Sequence, residues 1–105
     1  MVRGDVHEVN VPRGKGREQH GPRFAVIVQA DNMMGLSTVA ICLTSRSAQP
    51  ASFHPEISLA DEKTRVLCEM IRAVDALRLG DRVGHLSLDE LAGVDEALAL
   101  ILDLA

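Results

Sequence analysis

In the stretch GKGREQHGPRFAVIVQ, Gly14 to Gln29, a loop of glycine, charge and histidine runs straight into a wall of apolar side chains. Arg23 stands at the junction. A guanidinium is planar, permanently charged and shaped to grip a phosphate with two parallel hydrogen bonds. Placed at the start of a buried strand, it is aimed by the sheet instead of trailing in solvent. Around it Arg13, Lys15 and Arg17 are opposed only by Glu18, which makes a local cationic patch able to bind phosphates. Glu18 and His20 titrate in ranges useful for moving protons. Taken alone, such a run reads equally well as a solvated charged loop.

The remaining composition narrows what this patch can serve. A chain of 105 residues, 47% hydrophobic and 25% charged, is expected to form one domain over residues 1–105 with a modest core. No apolar run approaches the ~18–20 residues of a membrane span, and the N-terminus lacks the apolar stretch of a secretory signal. The expected location is therefore cytoplasmic, with no membrane contact. Cys42 and Cys68 sit inside apolar runs and are expected to be buried, reduced thiols. The four histidines show no paired spacing for a zinc site, so no metal and no cofactor are expected. The net charge of −4 is unevenly spread. Residues 1–50 hold six Arg/Lys against four Asp/Glu, whereas residues 51–105 hold five against eleven. Phosphate binding by the patch is thus opposed by the acidic body and screened by salt.

Several short strands and one helix must position these groups. DVHEVNV, Asp5 to Val11, alternates as an N-terminal strand, ended by Pro12 and Gly14. FAVIVQA and TVAICLT read as buried strands, separated by the turn segment DNMMGLS. A proline-bearing loop leads to an edge strand near Glu56–Leu59. TRVLCEMIRAVDALRLG suits two short strands around a turn, and RVGHLS a last strand ending at Ser87. SLDE then offers Ser87 as helix N-cap with Glu90 as its capping-box partner. Leu91, Val94, Leu98, Ile101 and Leu102 recur at helical spacing to form an apolar face. The predicted fold class is mostly β with a C-terminal α-helix, a small barrel-like antiparallel sheet.

With its elements in this order the chain resembles the MazF/PemK family of toxin endoribonucleases. The likeness rests on GDV at Gly4–Val6, on GREQHGPRFAVIVQAD from Gly16 to Asp31, on ICLTSRS, and on the long stretch from Arg65 to Leu104. It departs from the family pattern at Phe24, usually proline, and at Glu69-Met70, often Glu-Gln. The resemblance implies an SH3-like sheet of the MazF/CcdB type, a homodimer, and metal-independent cleavage of single-stranded RNA, mostly messenger RNA, at a short motif. It further implies neutralisation by a cognate antitoxin with a flexible acidic tail. Residue by residue, the family's catalytic arginine falls on Arg23, its catalytic hydroxyl on Thr44, and the Glu-Gln pair of its entry loop on Glu18 and Gln19.

RNA carries its own nucleophile, the 2′-hydroxyl, and an enzyme needs to orient it, neutralise the phosphoryl oxygens and move two protons. Arg23 suits the neutralising role, since preorganised charge is often the largest catalytic contribution. Thr44 suits donation to a phosphoryl or leaving oxygen. A guanidinium is a poor base at neutral pH, so Glu18 is the candidate base, with His20 as a lesser one. Lys15, Arg17, Gln19, His20 and Arg46 are the expected RNA contacts, positioning the backbone without reading sequence. Phe24 and Phe53 are expected in the core, so sequence recognition falls to loop residues such as Asn32, Met33 and Gln49, or else is lax. Two rival functions follow from the same fold: a catalytically silent antitoxin-binding dimer, and a gyrase poison of the CcdB kind. The poisons end their helix in Trp-Gly-Ile, whereas this chain ends ILDLA.

Overall fold

The alternating N-terminal segment forms β1 (Asp5–Val11), and β2 (Gly21–Ile27) pairs with it antiparallel. The computed structural model describes residues 1–11 and 21–104. Beyond β2 come β3 (Thr38–Ser45), β4 (Glu56–Leu59), β5 (Glu62–Val66), β6 (Arg72–Asp75), β7 (Leu79–His85) and the helix α1 (Leu88–Leu102). One antiparallel sheet runs in the order β4-β5-β3-β2-β1-β7, with β6 also paired to β3. Thus the expected class, mostly β with a C-terminal helix, is the one found.

Strand β3 carries two partners along one edge. Thr44 pairs with Val66 in β5, whereas Ile41 pairs with Arg72 in β6. Three steps along β3 thus use six along its partner. The three extra residues are taken up by a 3-10 turn at Cys68–Met70. That turn is what divides TRVLCEMIRAVD into the two short strands expected.

The apolar runs are long because β2 and β3 are covered on both faces. Val26 and Cys42 point into a core with Val6, Cys68, Leu86, Val94 and Leu98, roofed by α1. Ala25, Ile27, Ile41 and Leu43 point the other way, into a second core with Val9, Leu67 and Val74. Cys42 and Cys68 are buried free thiols as expected. The neighbouring Cys68 thiol, together with burial, pushes the Cys42 thiol well above the usual thiol range.

Strand boundaries moved where side chains replaced the backbone. FAVIVQA was expected to pair throughout, but β2 starts at Gly21 and ends at Ile27. Past Ile27, Val28 N still donates to Ala40 O at 3.1 Å, and the Gln29 amide then continues the link: its Oε1 accepts from Ala40 N at 3.0 Å and its Nε2 donates to Met33 O at 2.8 Å. Likewise β7 begins at Leu79, because the Val9–Leu79 pairing extends it along β1.

The GDV stretch ties the sheet ends together. Gly4 donates to Ile27 O at 2.8 Å and accepts from Leu86 N at 2.9 Å, with φ at +94° and His85 Cε1 3.2 Å from where a Cβ would stand. Both conditions select glycine. Asp5, only 3% exposed, accepts from Val2 N at 2.9 Å, His85 Nδ1 at 2.7 Å and Arg82 Nη1 at 3.4 Å. Burial alone would raise its pKa, but these donors outweigh it and hold the carboxyl below the usual range.

The helix starts where its cap was expected. Ser87 Oγ accepts from Glu90 N at 3.1 Å and Glu90 Oε1 from Ser87 N at 2.9 Å, while Glu90 Oε2 accepts from Ser58 N of β4 at 2.7 Å. Val94, Ala97 and Leu98 are buried, Leu91 and Ile101 are partly so, and Leu102 lies exposed, contrary to its expected place on the inner face. It lines a shallow groove with Arg3, Val28 and Ala40 in place of entering the core. No helix among the described residues is long and apolar enough to cross a membrane. Replacing Ser87 by alanine is expected to cost about 1 kcal/mol in urea unfolding. Glu90→Ala should cost more, because it removes the β4 tether as well as the cap.

Candidate functional site

Burial on both faces stops at one end of β2 and β3, and a cleft of about 1140 Å³ opens there. Register explains its floor. Glu8 of β1 pairs with Phe24, and extending the Ala25–Leu43 pairing by one residue sets Phe24 beside Thr44. Thr44 Oγ1 donates to Phe24 O at 3.3 Å. Across the floor therefore lie a carboxylate, an aromatic ring and a hydroxyl, on three neighbouring strands. Thr44 is 5% exposed, held in place by its strand and still part of the cleft lining. Arg23, one residue earlier on β2, lines the same cleft and is exposed. A fixed hydroxyl and a cation on adjoining strands can together meet a tetrahedral or trigonal-bipyramidal oxyanion.

Among the described residues three arginines and two carboxylates line the cleft: Arg23, Arg46, Arg78, Glu8 and Glu62. Arg46 was expected to contact phosphate. Its guanidinium is paired with Glu62, with both side chains exposed, which dilutes its charge toward a ligand. Lys15, Arg17, Glu18, Gln19 and His20 fall outside the described residues. Asn32, Met33 and Gln49 do not line the cleft. Phe24 corrects a second expectation: it is 41% exposed on the cleft floor and not in the core, while Phe53 is half-buried against His54. The reason is its place on β2, where side chains leave both cores and line the cleft. Sequence reading missed Arg78 and Glu8. Glu8 and Asn10 share one face of the alternating β1, a signal available in the sequence. Arg78 had none, because only the Val9–Leu79 pairing carries it to the cleft. No group of three or more His, Cys, Asp or Glu side chains among the described residues is arranged to hold a metal ion.

Known proteins share this sequence and architecture. A family model described as "PemK-like, MazF-like toxin of type II toxin-antitoxin system" matches residues 2–102. A candidate toxin of Mycobacterium tuberculosis is 40% identical over 106 residues, spanning 99% of each chain. Endoribonuclease MazF9 of the same organism is 32% identical over 115 residues, spanning 99% of this chain and 98% of that protein. In three dimensions, the crystal structure of MazF from Deinococcus radiodurans superposes with a TM-score of 0.86 at 21% identity, covering 99% of this chain and 97% of that one. An endoribonuclease from a mycobacterial species, solved with its cognate antitoxin, gives a TM-score of 0.85 at 18% identity over 100% of this chain and 97% of that one.

The wall of the cleft at Arg46 and Ser47 continues into a loop pinned by His54. Its Nδ1 lies 2.7 Å from Gln49 O and its Nε2 2.6 Å from Glu69 Oε2, while Arg65 Nη1 donates to His54 O at 2.8 Å. Burial alone would lower the His54 pKa, but the Gln49 carbonyl and the Glu69 carboxylate favour the charged ring more strongly, and the pKa is raised. A raised folded pKa stabilises fully below the unfolded value of about 6.5 and ceases to do so as pH climbs through the folded value. The urea midpoint should therefore fall as pH rises from about 6 to about 8, and His54→Asn should flatten that slope. An unchanged slope in the variant would remove His54 as its source.

Proposed function

Given that the chain belongs to the PemK-like, MazF-like family of type II toxin–antitoxin toxins, we propose that it is a toxin endoribonuclease cleaving single-stranded RNA, mainly messenger RNA, in the cytoplasm. The carrying observation is the cleft that Arg23 and Thr44 both line, with Thr44 tied by a hydrogen bond to the residue beside Arg23. Arg23 neutralises the charge gathering on the phosphoryl oxygens. Thr44 can release the Phe24 carbonyl and donate to a phosphoryl or leaving oxygen. The 2′-oxygen bonds to phosphorus, its proton passes to a base, and the bond from phosphorus to the 5′-oxygen breaks. The products are a 2′,3′-cyclic phosphate and a 5′-hydroxyl. Glu18 is the proposed base, and Lys15, Arg17, Gln19, His20 and Arg46 the proposed contacts that lay the strand across the cleft.

Two partners complete the proposal. A second copy of the chain would cover the exposed Leu100, Leu102 and Leu104 at the end of α1. A cognate antitoxin would bring an acidic tail to the arginines of the cleft, as an antitoxin accompanies the mycobacterial endoribonuclease of similar fold. The decisive assay is a labelled single-stranded RNA incubated in EDTA. Cleavage with cyclic phosphate ends is expected, reduced about a hundredfold or more by Arg23→Ala or Thr44→Ala, with antitoxin binding largely retained by both because Arg46 and Arg78 still line the cleft. Antitoxin binding without cleavage by the wild type would mark a silent binder, and inhibition of supercoiling a gyrase poison. Either result would overturn the nuclease.

A further inference from the structure

We infer that Phe24 is a stacking platform for one nucleobase of the substrate, and that Glu8 beside it selects a base carrying an exocyclic amine. This rests on the RNA-cleaving reading of the cleft and assigns it a recognition subsite. A strand-borne phenylalanine next to two cores is expected to be buried, yet this ring is 41% exposed and lines the cleft. Its cross-strand partner is Glu8, so both side chains rise from the same face, roughly 5 Å apart at Cβ. On its other side Thr44 Oγ1 holds the Phe24 carbonyl, fixing the backbone under the ring. The chain has two Phe and neither Tyr nor Trp, and Phe53 packs against His54 elsewhere, so Phe24 is the one aromatic ring of the cleft floor among the described residues.

The neighbours decide what the ring receives. Next to Glu8 in register lies Gly80, where a Cβ would stand 3.3 Å from Glu8 Cβ and 3.5 Å from Oε2. The missing side chain leaves that carboxylate room on the floor. A carboxylate repels phosphate, so it is a base and not the strand's backbone that turns toward Glu8 over the ring. Stacking is tolerant of sequence, since every base has a π-face. The carboxylate is not tolerant. It accepts from the amine of cytosine, adenine or guanine, whereas uracil flanks its one donor with two carbonyl oxygens that repel Glu8.

Binding can be measured apart from cleavage with fluorescein-labelled 2′-O-methyl oligonucleotides, which lack the nucleophile. The wild type should bind oligo-C more tightly than oligo-U. Phe24→Ala should weaken oligo-C binding about tenfold or more, with the fold retained because no core residue is removed. Phe24→Trp, the chain's sole tryptophan, should bind like the wild type and lose emission as a base stacks on it. Glu8→Gln should erase the preference for oligo-C. Equal affinities for wild type and Phe24→Ala, or unquenched tryptophan, overturn the platform while the nuclease stands. A preference surviving Glu8→Gln overturns the selector. A wild type that binds neither oligonucleotide and cuts no RNA overturns the nuclease and the subsite together.

Discussion

Strands β2 and β3 bury side chains on both faces, and every available functional position follows from where that burial ends. Along most of their length each residue is committed to one core or the other, leaving no side chain free for a ligand. At Arg23–Phe24 on one strand and Thr44–Ser45 on the other, side chains leave both cores and line the cleft. The two strands are locked in register by apolar pairs such as Ala25 with Leu43 and Val26 with Cys42. A one-residue slip would exchange the two cores and move Thr44 away from the cleft, so packing and site geometry share a single constraint.

The 3-10 turn at Cys68–Met70 shapes the other side of the same strand. It lets β3 hydrogen-bond to β5 near Thr44 and to β6 further back, so the sheet curls where a continuous partner would keep it flatter. The turn also places Glu69 against His54, which pins the loop that forms the cleft wall. A packing irregularity and an ionisable pair are therefore the same structural feature. Met70 stands where the resembled pattern often has glutamine, and it packs against the core of Ala25 and Ile41.

Electrostatics in the cleft are mixed, not uniformly basic. Glu62 is paired with Arg46, and Glu8 stands on the floor beside Phe24. An acidic chain with net charge −4 can still take a polyanion if its cations are concentrated and its carboxylates confine the backbone to one track. In such an arrangement cations supply attraction and carboxylates supply orientation.

The sequence by itself determined the strands with clear alternation or continuous apolar character and the helix with its Ser87–Glu90 cap. These are local signals: side-chain period, capping chemistry and turn residues act within a few positions. Tertiary structure alone decided that Phe24 faces the cleft, that Arg46 is held by Glu62, and that Arg78 and Glu8 join the lining. Each of these depends on which strand lies beside which and in what register. No local pattern encodes that, because it is set by how two cores and one helix divide the faces of a curled sheet.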